Sequence, residues 1–292
     1  MTQQTDRTWP LSDLSVEELI QLSIEQTDGN VASLEESAFY EICWNRRVVA
    51  QAWELVRGMH ASSDYRERSL YAWMAWNLEE DPPFREEAAT TLVAMLETET
   101  HPDTLHSIGV ALGYLGDVRV IEPLLRFKNH PDGRVRYGVA WGLRAHECDR
   151  SVEGLIELSG DPDQNVRGEA TWALAEGFEA DTPTVRDALA ARLTDGDRDA
   201  RGYGLVGLAL RKDARVLESL RRELPDAVNR NYPILAAIAL GDLSLRPALL
   251  ELRERMIRER VLDGGYVSLV DEALAACAPD SDAPHDDPPD VD

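Results

Sequence analysis

Small and apolar residues recur along most of this chain at helical spacing, and the recurrence is itself periodic. Val135, Val139, Gly142 and Leu143 form one set, Val166, Ala170, Ala173 and Leu174 the next, and Ala200, Gly204, Gly207 and Leu208 a third. Steps of three and four residues place each set on one face of a helix. A tripeptide ending in Asp precedes each set or its neighbours: His101-Pro102-Asp103, His130-Pro131-Asp132, Asp161-Pro162-Asp163, Asp195-Gly196-Asp197 and Leu224-Pro225-Asp226. Successive Asp residues lie 29, 31, 34 and 29 positions apart, and Asp64 opens an earlier copy 39 positions before Asp103. Asp is a good N-cap, because its carboxylate accepts the orphan N–H groups of the first turn. A Pro just before it keeps the preceding helix from running on. Four residues after the Asp stand Arg68, Arg136, Arg167, Arg201 and Arg230, with Ser107 in that place after Asp103. Each copy thus predicts one capped helix, termed helix B.

Between the B helices the pattern predicts second amphipathic helices, termed A, over Ile121 to Leu125, Val152 to Leu158, Val185 to Leu193, Val216 to Leu224 and Pro247 to Met256. Gly116-Asp117 and Gly241-Asp242 read as helix stop and restart signals. A pair of short helices cannot bury both apolar faces alone, but pairs stacked side by side can. Upstream, Ser15 and Glu18 form a capping-box signature for a first helix ending near Gln26. Val31 to Met59 predicts one or two further helices carrying Phe39, Tyr40, Trp44 and Trp53. Pro233 falls inside the last copy, which predicts a late start with Pro in the first turn. Residues 246–261 and 266–277 close the array, and the Asp- and Pro-rich stretch after them reads as a disordered acidic tail. The expected organisation is a helical cap or degenerate repeats over 1–60, a repeat array over 61–278 and the tail over 279–292.

The core D-x-x-V-R-x-x-A-x-x-A-L, seen in Asp163-Gln164-Asn165-Val166-Arg167-Gly168-Glu169-Ala170-Thr171-Trp172-Ala173-Leu174, resembles the short HEAT-like repeat named after the phycobilisome lyases. The resemblance covers roughly residues 60 to 260. It implies an all-α fold, a right-handed superhelical α-solenoid of stacked antiparallel helix pairs, with helix B lining the concave face.

Counting from each Asp, the core takes positions 3, 7, 10, 11 and 14, so positions 5, 9 and 12 point broadly away from it. Position 9 holds Trp73, Leu112, Trp141 and Trp172; position 12 holds Trp76 and Arg144; position 5 holds Tyr137. A contiguous apolar strip of this kind marks a binding site, with Trp, Tyr and Arg as favoured anchors. The same positions also abut neighbouring B helices, so packing between repeats is the competing expectation. Trp73, Trp76, Leu112, Tyr137, Trp141, Arg144 and Trp172 are the candidate partner-binding residues.

Charge narrows the partner. The chain of 292 residues carries 30 Lys and Arg against 54 Asp and Glu, a net charge of −24. Such a surface repels phosphate, which argues against nucleic acid and anionic membranes and favours basic protein segments. That also separates the chain from HEAT-like DNA glycosylases, which need a basic face. Three scattered cysteines, Cys43, Cys148 and Cys277, do not make a disulfide framework, and Met1 to Pro10 lacks an apolar signal core. A cytoplasmic location is expected. His146-Glu147-Cys148 is the one cluster suggestive of a metal. Deoxyhypusine hydroxylase, another HEAT-type protein, repeats His-Glu dipeptides across its array. Here the equivalent positions, such as Leu78-Glu79 and Gly177-Phe178, do not, and one dipeptide cannot complete a coordination shell. No nucleophile elbow, phosphate loop or dinucleotide fingerprint is present. The expectation is a scaffold or adaptor, with no cofactor, that holds a helix or extended segment of a protein partner. The alternatives are a chromophore-handling accessory of the bilin-lyase type, implied by the resemblance alone, and an acidic immunity or inhibitor protein that masks a basic partner.

Overall fold

The capping box at the start of the chain forms as the sequence predicts. In the computed structural model, which describes residues 11–26, 38–44, 46–76, 82–228, 230–260 and 264–278, Ser15 N–H donates to Glu18 Oε2 at 2.8 Å and Glu18 N–H donates to Ser15 Oγ at 3.2 Å. They open α1 (Val16–Gln26), followed by α2 (Ala38–Trp44) and α3 (Arg46–Val56). The expected acidic tail at 279–292 and the Leu78-Glu79 pair lie outside the described residues.

From α4 onward the helices alternate as the two-helix repeat requires. The B helices are α4 (Tyr65–Trp76), α6 (Pro102–Leu115), α8 (Gly133–Leu143), α10 (Gln164–Trp172), α12 (Arg198–Leu210) and α14 (Asn231–Leu240). The A helices are α5 (Pro82–Met95), α7 (Ile121–Leu125), α9 (Asp149–Leu158), α11 (Pro183–Arg192), α13 (Leu217–Glu223) and α15 (Arg246–Glu259). The last helix, α16 (Gly264–Ala276), packs on α14 and so extends the B row rather than merely closing the end. No strand occurs among the described residues. The chain forms two compact units, residues 1–170 and 171–292. In the first, α4 packs on α6 and α6 on α8; in the second, α12 packs on α14 and α14 on α16.

The Asp landmarks do their predicted work with two exceptions. Asp64, Asp132, Asp163 and Asp197 each accept the N–H two residues on. The guanidinium of Arg66 or Arg134 folds back on its own cap and holds the Asp64 or Asp132 carboxyl below the usual range. In α6, however, the cap is His101, whose Nδ1 accepts Asp103 N–H at 3.3 Å, and the helix begins at Pro102. In α14 the capping position is Arg230, while Asp226 ends a 3₁₀ extension of α13. Both departures correct the equivalence of all six Asp residues. Pro233 stands in the first turn of α14, and Gly116 and Gly241 end α6 and α14 in the left-handed conformation with φ of 65° and 67°.

The Arg four residues beyond the cap ties repeats together. Arg68 donates to Ser62 O at 2.9 Å in its own turn and makes a two-pronged bond to Glu99, at 2.6 and 3.0 Å, in the next. Arg136 donates to His130 O at 2.7 Å and to both oxygens of Asp161 at 2.7 Å. Arg167 reaches Asp161 O at 2.9 Å, and Arg201 donates to Asp195 O and lies 3.8 Å from Glu223. Other basic residues cap the C-terminal ends of B helices: Arg85 on Leu115 O, Lys212 on Leu240 O and Arg246 on Leu274 O. Arg211, its side chain 7% exposed, gathers Leu174 O, Ala175 O, Phe178 O and Ala180 O, the carbonyls left open where α10 ends in a π-turn at Ala173–Gly177.

Glycine sets the spacing of α6 and α8. A methyl group on Gly109 would lie 2.5 Å from Gly138 O, and one on Gly138 would lie 2.9 Å from His106 O. The two backbones approach as closely as small residues permit, and neither carbonyl can yield without breaking its helix.

Two expected outcomes follow. Gly109→Ala should destabilise the protein by about 1–3 kcal/mol through overpacking, whereas Gly168→Ala, where nothing lies within 4 Å of the added carbon, should be neutral or stabilise by about 0.5–1 kcal/mol; urea midpoints compare them. Arg136→Met should cost about 3–5 kcal/mol by leaving the Asp161 carboxylate without its cation, its side chain being 5% exposed, and adding Asp161→Asn, which removes the charge but keeps an acceptor for Asp163 N–H, should recover most of the loss in a double-mutant cycle.

Candidate functional site

Close packing of α4, α6 and α8 brings six rings into one circuit in the first unit. Trp73 and Trp76 come from α4, His106 and Tyr114 from α6, Tyr137 and Trp141 from α8. Around the circuit the centroids are 6.4 Å apart for Trp73–Trp76, 4.3 Å for Trp76–Tyr114 and 5.5 Å for Tyr114–Trp141. It closes through Trp141–Tyr137 at 6.0 Å, Tyr137–His106 at 5.8 Å and His106–Trp73 at 5.9 Å. Phe39 of α2 adds a seventh ring 6.1 Å from Trp73. The tilted and edge-on geometries are those favoured by the ring quadrupoles. All six side chains are half-buried, with one part packed and the other open to solvent. Val110 lies one helical turn from both His106 and Tyr114, on the same stripe of α6.

Beside the rings stands a charged pair. The Arg144 guanidinium lies 3.5 Å from the centroid of Trp141 and donates to Glu169 Oε1 at 2.8 Å. Tyr137 O–H donates to the other Glu169 oxygen at 3.4 Å. Burial pushes the Glu169 carboxyl above its ordinary range, and the Arg144 charge partly offsets this. Burial, then the nearby Glu169 charge, pushes the Tyr137 phenol up to about 12, so it stays protonated at neutral pH. His106 is held below the usual imidazole range by burial, and its Nδ1–H donates to Arg134 O at 3.0 Å. A cavity of about 280 Å³ adjoins the circuit, bounded by His106, Tyr137, Gly133, Arg134, Asp163 and Asn165. This arrangement offers ring faces, two phenols and one paired carboxylate.

The sequence-derived strip is thus partly assembled and partly corrected. Trp73, Trp76, Tyr137, Trp141 and Arg144 come together. Leu112 does not belong: it is 0% exposed, as is Ile108. Counting from the true cap, His101, shifts that repeat by two residues, about 200° around the helix. His106 then takes position 5 beside Tyr137, and Val110 takes position 9. Trp172 is half-buried but belongs to the second unit. Sequence reasoning missed His106, Tyr114 and Glu169; treating His101 as the cap would have found the first.

The His146-Glu147-Cys148 cluster does not converge. His146 is buried, with Nε2 lacking a hydrogen-bond partner, whereas the Cys148 side chain is exposed and faces Ser151. Among the described residues no group of three or more His, Cys, Asp or Glu side chains is disposed to hold a metal ion. Among them, too, no helix is long and apolar enough to cross a membrane.

Comparison with known proteins agrees with this architecture. The family described as HEAT repeats matches residues 89–175 and 121–205. The protein YibA of Escherichia coli strain K12 is 33% identical over 115 residues, which are 39% of this chain and 41% of YibA, so the aligned stretch spans about two fifths of that relative's length. The X-ray structure of Escherichia coli YibA superposes with a TM-score of 0.69 at 20% identity, covering 95% of this chain and 98% of that one, a likeness of fold. The likeness of fold makes the chain an α-solenoid, and residues 89–205 within it match HEAT repeats.

Proposed function

We propose that the chain is a non-catalytic interaction protein that holds a segment of a partner protein on the aromatic face of α4, α6 and α8. HEAT repeats in general mediate protein–protein interaction. The observation that carries the reading for this chain is the circuit of six half-buried rings on three consecutive B helices. A core needs its rings enclosed, and a surface with no partner seldom gathers so many at one place. Trp and Tyr contribute large, rigid contact area at low entropic cost, which is why they dominate binding hot spots.

Charge supports a partner with basic flanks. The chain carries −24, and many of its arginines are held by carbonyls and carboxylates within the fold. Acidic residues therefore dominate the long-range field, which steers cationic segments and repels polyanions. The half-buried pairings on the face itself, Arg144 with Glu169 and Tyr137 with Glu169, add orientation.

The test separates docking from packing. Trp76→Ala and Trp141→Ala should each weaken capture of the native partner by about 2 kcal/mol or more, the hot-spot scale, and capture should fall as salt rises. Binding is followed by affinity purification from the source cells with quantitative mass spectrometry, and stability by thermal melting. Variants that melt well below the parent yet retain every captured protein would assign the rings to packing alone.

A further inference from the structure

The aromatic face carries its own cation. Arg144 is seated over Trp141, 3.5 Å from the ring centroid, and bonded to Glu169. Other arginines near the B helices serve the repeat: those four residues past the cap join consecutive turns, and others close helix ends. Arg144 also links consecutive B helices, through Glu169 of α10, but it does so across the ring of Trp141 on the aromatic face. The matching position is Trp76 in α4, Ala175 in the π-turn after α10 and Ala209 in α12, so the fold does not demand a cation there. Arg144 is also the residue that ends α8, so its side chain departs from the last turn rather than from within the helix.

We infer that Arg144 occupies, from within the molecule, the seat that an arginine side chain of the partner takes, so that the ligand is a peptide segment presenting arginine. This rests on the aromatic face being the docking surface. The seat has two walls. One is the π-face of Trp141, which attracts a cation through the ring quadrupole. The other is the Glu169 carboxylate, which burial pushes above its ordinary range and the adjacent cation draws back. A guanidinium satisfies both at once, because it is planar enough to stack and carries its donors in a fork in the same plane; an ammonium group meets both walls only as a point charge, without the stack or the fork. Exposure sets the order of exchange. The Glu169 side chain is 11% exposed and that of Arg144 is 23% exposed, so the resident cation is the partner nearer solvent and the carboxylate is the fixed element. The chain's net charge of −24 raises the local concentration of cationic segments around it.

The experiment titrates the full chain with octa-arginine and, separately, octa-lysine by isothermal calorimetry at about 0.15 M salt, where exposed charges are screened beyond roughly 8 Å. The parent should prefer octa-arginine several-fold. Arg144→Met vacates the seat and should tighten octa-arginine by about ten-fold, the scale of a desolvated cation–π contact, with much less change for octa-lysine. Trp141→Leu should abolish the preference between the two peptides. Arg144→Lys, which keeps a cation for Glu169 but loses the planar stack, should tighten octa-arginine in the same direction by a smaller factor and stands in if the Met variant fails to fold. Equal affinity of the parent for both peptides, or no tightening in either Arg144 variant, overturns the inference. If that happens while Trp141→Ala still loses its captured partner, the arginine seat alone is wrong; if the Ala variant also keeps its partner, the docking face is wrong as well.

Discussion

A helix pair of this length buries one apolar face against its twin and leaves another uncovered, so the fold depends on whatever fastens one pair to the next. Apolar stacking supplies the area, with Val135, Val139 and Leu143 of α8 and Leu155 and Leu158 of α9 at or near full burial. Apolar contact alone does not fix how one pair meets the next. The guanidinium four residues past the cap does. In Arg68 and Arg136 one arm is bonded to a carbonyl of its own turn and two others to a carboxylate of the following turn. A fork with fixed angles transmits position from turn to turn in a way that a flexible ammonium cannot. The carboxylates involved are nearly buried, 4% exposed for Glu99 and 5% for Asp161, so a misplaced turn would leave a charge without a partner. Such pairs are better described as fixing the stacking geometry than as adding net stability.

This use of arginine shapes the surface. Arg85, Arg211 and Arg246 neutralise the carbonyl ends of B helices, where positive charge is favoured by the helix dipole. Each of these cations keeps its unit charge, and with 30 basic against 54 acidic side chains the field around the molecule remains that of an anion.

The aromatic face depends on the spacing of the B helices. Rings from three helices touch because Gly109 and Gly138 let α6 and α8 approach to backbone contact. With larger residues there, His106 and Tyr137 would be held farther apart and the circuit would open. The same close approach leaves the rings only partly covered. They serve packing along their inner edges and stand available on the outer ones, so the choice between inter-repeat filler and recognition surface is not exclusive.

Local chemistry was legible in the amino-acid order. Asp at the caps, Pro before it, Gly116 and Gly241 after it, the Ser15–Glu18 box and the apolar spacing of three and four depend on neighbours within one or two turns, and these determined the helices and the repeat. The pairing of Arg136 with Asp161 was not legible, because a chain with 54 acidic residues offers many candidate partners and only three-dimensional proximity selects one. Nor was the membership of the aromatic face. His101 rather than Asp103 caps α6, and a shift of two residues turns a helix by about 200°. Leu112 was carried inward and His106 and Tyr114 outward by that choice. A cap is selected by the turn it closes and by the helices already packed around it, so which side of α6 meets the rings of α4 and α8 was decided by tertiary structure alone.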